Sequence, residues 1–285
     1  MKQPLINVAL KAARRAGSVI LRSFGRVDAA QISEKQRHDY VSEVDKLAER
    51  EIIRELKKAY PDFGFLAEES GASGDQKKRW IIDPLDGTSN YLRGIPHFAI
   101  SIAVEADDVL QHGLIYDPIR DEVFHASKGS GAFLNDRRIR VGQCASLKGA
   151  LLGYALPFRQ RKHLPAYQKM LDAMFEEAQD VRRMGAASLD LAYVASGRLD
   201  GFFEIGLGPW DMAAGALLVR EAGGVVTDFA GSQGFLESGN VVCANLKLLP
   251  AMLKAIDTHA TIALKRKTRG APAISTPLSL NSELK

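Results

Sequence analysis

Cysteine is scarce in this chain of 285 residues, where Cys144 and Cys243 are the whole complement. They stand far apart without metal-site spacing, which argues against a disulfide framework and a zinc cluster, so both are expected to be buried free thiols. Long apolar runs are also missing. Lys11, Arg14 and Arg15 interrupt the opening segment from Leu5 to Phe24, and nothing elsewhere approaches the roughly 18 apolar residues that would span a membrane. These absences point to a soluble cytoplasmic protein with no membrane partner. A Gly-x-x-x-x-Gly-Lys-Ser/Thr loop is absent, which disfavours ATP-type binding, and Gly129-Ser130-Gly131 is too short to argue for a dinucleotide.

A net charge of +4 invites the idea of a nucleic-acid partner, but the charge is unevenly placed. From Lys265 onward five basic residues face one acid, Glu283, so residues 1–264 carry 33 of each sign and are formally neutral. The basicity belongs to a tail, 265–285, that collects Pro272, Pro277 and several serines and reads as a disordered extension. Direct RNA binding would fall to that tail or to Arg182-Arg183.

What is present has the pattern of a mixed α/β protein. With 46% hydrophobic and 25% charged residues, the composition suits a large folded core. Leu5, Val8, Ala9, Ala12, Ala16, Val19 and Ile20 recur at helical spacing and predict an amphipathic first helix. A second helix is expected over Val44 to Tyr60, with Ser42 and Asp45 as a capping box and Pro61 as its stop. Strands follow at Trp80 to Asp83, Phe98 to Glu105, Leu110 to Tyr116 and Glu122 to Ala126, with Asp107-Asp108 and Asp117-Pro118 as turns, and this run suggests an antiparallel sheet. Beyond a junction near Gln143 to Gly149 the elements alternate: strands at Leu151 to Ala155, Gly201 to Ile205, Gly224 to Asp228 and Val241 to Ala244, and helices at His163 to Ala178, Ser188 to Ala195, Asp211 to Ala222 and from Leu248. The chain thus divides into an α+β half over 1–145, an α/β half over 146–264 and the tail.

The residues that suggest chemistry are acids. Trp80-Ile-Ile-Asp83-Pro84-Leu85-Asp86-Gly87-Thr88 runs a short apolar strand into two aspartates and a glycine turn. Phe65-Leu66-Ala67 runs likewise into Glu68-Glu69, and Pro209-Trp210-Asp211 opens a helix. Carboxylates gathered from three segments would repel one another unless a cation neutralised them. Hard oxygen ligands select Mg²⁺, Mn²⁺ or Ca²⁺, and Mg²⁺ keeps waters and completes its shell with substrate phosphate. Phosphate-ester hydrolysis by metal-activated water is the chemistry such a set supports. Backbone N–H groups at Gly87 and Thr88 stand where a phosphate can be held, because glycine permits close approach. His97 and His125 are read as structural, Asp200 and Glu221 as structural or surface acids, and Tyr91, Phe98, Phe202 and Phe203 as core.

The segments Trp80-Ile-Ile-Asp-Pro-Leu-Asp-Gly-Thr-Ser-Asn-Tyr91 and Trp210-Asp-Met-Ala-Ala-Gly-Ala-Leu-Leu-Val-Arg-Glu-Ala-Gly-Gly224 resemble the two signatures of the inositol monophosphatase family, and Glu68-Glu69-Ser70 resembles its upstream acidic element. The resemblance runs from about residue 5 to 264 and implies a layered α/β/α/β/α sandwich, a homodimer and a lithium-sensitive Mg²⁺ site, with Mn²⁺ able to substitute. It implies that Glu68, Asp83 and the Leu85 carbonyl hold one ion, that Asp83, Asp86 and Asp211 hold a second, and that Glu69 supports a weaker third beside Glu68. By the same resemblance Thr88, bonded to Asp45, orients the attacking water, Gly87 and Thr88 bind phosphate, and Asp86, Ala187, Glu204 and Asp211 face the substrate. Two positions depart from the family pattern: Ser89 replaces a usual threonine, and Ala186 stands where threonine or serine is common. The implied substrate is myo-inositol 1-phosphate or a related polyol or sugar phosphate. Sugar phosphatases and nucleotide 3′-phosphatases share the scaffold, and a bacterial branch of the family is associated with ribosomal RNA transcription antitermination through Nus factors and RNA polymerase.

Overall fold

The computed structural model describes residues 3–26, 32–36 and 39–265. In chain order these form α1 (Pro4–Ser23), β1 (Ile32–Gln36), β2 (Asp39–Ser42), α2 (Glu43–Ala59), β3 (Gly64–Ala67), β4 (Gly71–Ser73), β5 (Lys78–Asp86), α3 (Thr88–Leu92), β6 (Ala99–Ala106), β7 (Val109–Asp117), β8 (Glu122–Ser127), β9 (Gly131–Leu134) and β10 (Arg137–Ile139). There follow β11 (Leu151–Tyr154), α4 (Leu164–Phe175), β12 (Asp180–Arg182), α5 (Ala187–Ala195), β13 (Gly201–Ile205), α6 (Pro209–Glu221), β14 (Gly224–Thr227), α7 (Phe235–Ser238), β15 (Asn240–Asn245) and α8 (Leu249–His259).

Two sheets organise the molecule, apart from the β1–β2 hairpin. The larger has the order β10-β9-β8-β7-β6-β5-β3-β4 and the smaller β12-β11-β13-β15-β14. From β5 to β10 every neighbouring pair is antiparallel, as the alternating runs predict, whereas β3 joins β5 in parallel. Three apolar layers separate the elements. Ile6, Ala13 and Ile20 of α1 and Ile52 and Leu56 of α2 pack on one face of the large sheet, against Ile82, Ile102 and Leu114. Leu191 of α5 and Met212, Ala216 and Val219 of α6 fill the space between the sheets, with Ile81, Ile115 and Phe124 on one side and Phe202 and Cys243 on the other. Met170 and Met174 of α4 and Met252 and Ile256 of α8 cover the outer face of the small sheet through Phe203 and Val242. The result is the α/β/α/β/α sandwich. Each large apolar side chain removed from water in these layers contributes about 1.5–3 kcal/mol, which is why both faces of each sheet need a helical cover.

Helix α6 lies close against the large sheet because Gly113 of β7 has no side chain: a Cβ there would sit 2.9 Å from the Ala214 carbonyl oxygen. Ion pairs from Lys11 and Arg15 to Glu55 join α1 to α2.

Several sequence expectations shift. Helix α6 begins at Pro209 rather than Asp211, because proline is tolerated where a first-turn N–H has no helical partner. The segment expected as one helix from His163 is a 3-10 turn at Arg161–His163 followed by α4, which stops at Phe175. The short strands β4, β9, β10 and β12 have too few residues to show a period. Cys243 is buried, but Cys144 is half-exposed and directs its Sγ toward the Ser146 carbonyl at 3.1 Å, so the expectation of two buried thiols fails there. The Ser42 cap and the tail from 266 lie outside the described side chains. No helix among the described residues is long and apolar enough to cross a membrane.

Candidate active site

Strand β5 delivers the first acids. Its pairing with β6 runs regularly to Asp83↔Ser101, then shifts before Asp86↔Ala99. Pro84 sits in that irregular stretch, lacks an N–H for the ladder and so breaks it; the resulting bulge turns the strand end. The Leu85 N–H folds back onto Asp83 Oδ1 at 2.9 Å. Gly87 follows with φ of 90°, and a Cβ there would lie 3.0 Å from the His97 carbonyl oxygen and 3.2 Å from Ala186 Cβ, so the turn that leads into α3 needs glycine on both counts.

Asp211 arrives from the other side. It stands in the first turn of α6, where its carboxylate accepts the Gly208 N–H at 2.7 Å. Ser101, the residue opposite Asp83 in the sheet, donates its hydroxyl to the Trp210 carbonyl at 3.0 Å and so ties the start of α6 to the strand beside Asp83. Asp83, Asp86 and Asp211 each place a carboxylate oxygen so that all three lie within 4.8 Å of one another. Glu68, at the end of β3, lines the same cavity together with Leu85, Gly87, Thr88, Ala187 and Glu204.

Burial is the first cause of the unusual acidity here, and like charge adds to it. Burial and the neighbouring Glu68, Asp86 and Asp211 carboxylates raise Asp83 well above the ordinary carboxylate range. Burial takes Asp86 to about 6, against the opposing hydrogen bonds from Ser188. Asp211 goes to about 7 and Glu204 to about 8, again chiefly by burial. Buried carboxylates packed this closely are costly unless a positive charge joins them. The donor set is all oxygen, anionic and convergent, and it fits a hard divalent cation.

Other predicted residues fall around this centre. The Thr88 hydroxyl lies 3.1 Å from Asp45 Oδ1 and 3.0 Å from the Leu85 carbonyl. Asp45 is buried and meets Thr88, which lines the cavity, while Glu69 stands beside Glu68 without lining it. Asp200 accepts the Leu151 N–H at 2.9 Å, and Glu221 accepts the N–H groups of Gly129 and Gly131 at 2.7 Å each, so both acids are structural. His97 and His125 are buried.

Sequence reasoning missed Ser188 and Ser101. Ser188 opens α5 and gives Asp86 Oδ2 both its N–H at 2.7 Å and its hydroxyl at 2.5 Å, a helix N-terminus holding an anion. The helix start was legible, but its partner lies 102 residues away. Phe158 and Arg159 also line the cavity and carried no local signal, and Arg183, read in the sequence only as a basic feature for RNA, lines it as well.

The family model of the inositol monophosphatase family matches residues 1–261. The chain belongs to the inositol monophosphatase family. A Pseudomonas aeruginosa protein named Nus factor SuhB is 51% identical over 270 residues, covering 93% of this chain and 100% of that protein. The crystal structure of extragenic suppressor protein suhB from Bartonella henselae is 45% identical with a TM-score of 0.86, covering 89% of this chain and 98% of that one. A Thermotoga maritima IMPase is 34% identical with a TM-score of 0.81 over 89% of this chain and 96% of its own. The layered sandwich is therefore the inositol monophosphatase fold, and the acidic cavity draws on the segments around Asp83–Ser89 and Asp211 together with Glu68 and Glu204.

Proposed function

We propose that the chain hydrolyses the phosphate monoester of a small polyol or sugar, with myo-inositol 1-phosphate as the first candidate, and does so with Mg²⁺ in the acidic cage. The observation that carries this reading is the convergence of Asp83, Asp86 and Asp211 within 4.8 Å beside the Gly87–Thr88 turn. Glu68, Asp83 and the Leu85 carbonyl would hold one ion, and Asp83, Asp86 and Asp211 a second, with Glu69 supporting a weaker third. When bound, such ions supply positive charge to the phosphoryl oxygens and lower the pKa of water.

The chain's own groups then position the reactants. Thr88 accepts a hydrogen bond from the attacking water while donating to Asp45, which aims the water's lone pair at phosphorus. The new P–O bond forms as the ester P–O bond breaks, giving the free alcohol and inorganic phosphate. Backbone N–H groups of Gly87 and Thr88 would hold the phosphate, and Asp86, Ala187, Glu204 and Asp211 would meet the substrate. Glu204, pushed to about 8 in the metal-free site chiefly by its burial, would meet a substrate hydroxyl from the wall of the cavity. No covalent phosphoenzyme is needed.

The test is phosphate release from inositol 1-phosphate, fructose 1,6-bisphosphate, histidinol phosphate and adenosine 3′,5′-bisphosphate. Activity on the first that requires Mg²⁺, is supported by Mn²⁺, is lost with EDTA and falls with Li⁺ is the expected result. A folded, Mg²⁺-loaded protein that releases phosphate from none of them would overturn the reading.

The name of these relatives supports a second role: proteins called Nus factor SuhB from P. aeruginosa and Escherichia coli share 51% and 46% identity with this chain. Association with Nus factors or RNA polymerase, as a cytoplasmic homodimer, is compatible with the phosphatase reading, because the acidic cage is concave and leaves the outer surface to partners. Size-exclusion chromatography with purified Nus factors tests it, and co-elution is the expected result. Deleting 266–285 then tests the tail: salt-dependent RNA affinity that survives the deletion would exclude it as an RNA arm.

A further inference from the structure

Helix α2 carries two buried acids one turn apart, and both reach a different acidic motif. Asp45 meets Thr88; four residues on, Glu49 accepts the backbone N–H of Glu69 at 2.8 Å. Residues at that spacing share one helix face. Glu49 is only 3% exposed and does not line the cavity. Burying one more carboxylate close to a cage of carboxylates is costly, and a charge-assisted bond to a backbone amide offsets that cost.

The neighbouring amide is held as well: the Glu68 N–H donates to the Ile82 carbonyl at 3.1 Å, on the strand that continues into Asp83 and Asp86. Two successive amides are thus anchored, one by β5 and one by α2. Between them lie φ and ψ of Glu68, the only soft backbone dihedrals of that residue, so anchoring both amides sets the direction in which its side chain leaves the backbone. Glu68 lines the cavity and contacts Asp83.

We propose that Glu49 is a positioning residue: by holding the Glu69 amide it aims the Glu68 carboxylate into the cage and sets the cage's affinity for its cation. The proposal rests on the reading of the cage as a metal site. Length and charge at position 49 can be separated. Glu49→Gln keeps the reach and an acceptor oxygen but removes the charge. Glu49→Asp keeps the charge and withdraws the acceptor by about one carbon–carbon bond, ~1.5 Å.

The experiment is Mn²⁺ binding to chelator-stripped protein, followed by electron paramagnetic resonance, alongside the Mg²⁺ dependence of turnover and the metal-free melting temperature. Glu49→Asp is expected to weaken Mn²⁺ binding and raise the half-activating Mg²⁺ concentration about tenfold, the scale on which partners of metal ligands act. At saturating Mg²⁺ its KM should match wild type. Glu49→Gln should stay within about twofold of wild type on every readout. Glu49→Gln as weak as Glu49→Asp, or Glu49→Asp losing only melting temperature with Mn²⁺ affinity intact, would overturn the proposal. If Glu49→Asp does not fold, Glu49→Gln decides alone, and weakened Mn²⁺ binding in it overturns the claim. Wild type that binds Mn²⁺ yet releases no phosphate would sink the phosphatase reading alone, whereas wild type that binds no Mn²⁺ would sink both.

Discussion

Asp45 and Thr88 stand 43 residues apart in sequence and 3.1 Å apart in the fold, joining the first turn of α2 to the turn after β5. Asp45 is buried, so its carboxylate spends its acceptor capacity on protein groups, and the Thr88 hydroxyl is its route to the cavity. In the proposed mechanism, removing either end would leave the attacking water unaimed. Thr88→Ala and Asp45→Asn should each lower kcat by about 10²–10⁴, the range for a lost proton-handling group. Mn²⁺ binding should persist in both, measured by electron paramagnetic resonance, because neither supplies a cage oxygen.

Asp83 is the most enclosed acid of the cage, next to Glu68, Asp86 and Asp211. Asp83→Asn should cut phosphate release by at least about a hundredfold, the loss expected when a metal's charge stabilisation fails. Its melting temperature in EDTA should equal or exceed wild type, since one of several repelling charges has gone. Asp211→Asn should follow the same pattern. Near-normal turnover in Asp83→Asn would exclude it as a shared ligand.

The raised carboxylates make the metal-free protein pH-sensitive in a definite direction. Asp86 and Asp211 have ordinary values near 4 and folded values of about 6 and about 7. Between the two the folded state binds more protons than the unfolded, so stability falls as pH rises through roughly 4 to 7. Chelator-treated protein should therefore melt lower at pH 7.5 than at pH 5.5. Added Mg²⁺ should raise the pH 7.5 value and release protons, detectable by calorimetry in buffers of different ionisation enthalpy. A metal-free melting temperature that rises across this window would contradict the assignment.

Ser188 stabilises Asp86 from the start of α5, so Ser188→Ala, which removes the hydroxyl and keeps the N–H, should lower kcat/KM about tenfold. Asp200→Asn is the control. Its partner is the Leu151 N–H, neither residue lines the cavity, and an asparagine oxygen can still accept that bond. Denaturant unfolding should register a loss of about 1 kcal/mol or less, with kcat/KM unchanged.

The amphipathic period of α1 was readable because it repeats within its own span, and the antiparallel run from β5 to β8 and the apolar α6 because each is a largely buried apolar stretch closed by turn residues. The cage acids were readable for a different reason. Asp83 and Asp86 lie in the last four residues of β5, Glu68 follows the apolar β3, and Asp211 stands in the first turn of a helix, so their placement is a local fact. The three-residue strands β4 and β12 and the 3-10 turn before α4 were not, since each is too short to show a period, and the partner of β12 lies about 29 positions earlier in β11.

By itself, the sequence determined which residues form the longer helices and strands, which acids stand near their ends, and that the charge beyond neutrality lies in the last 21 residues. Only the tertiary structure decided that three of those acids converge within 4.8 Å, that Ser101 and Ser188 hold two of them in place, and that Glu49 reaches the turn of Glu68 and Glu69. The physical reason is range. Periodicity and end position act within a few residues, whereas these bonds span between 20 and 109 positions of chain and exist only once the helices have packed on the sheets.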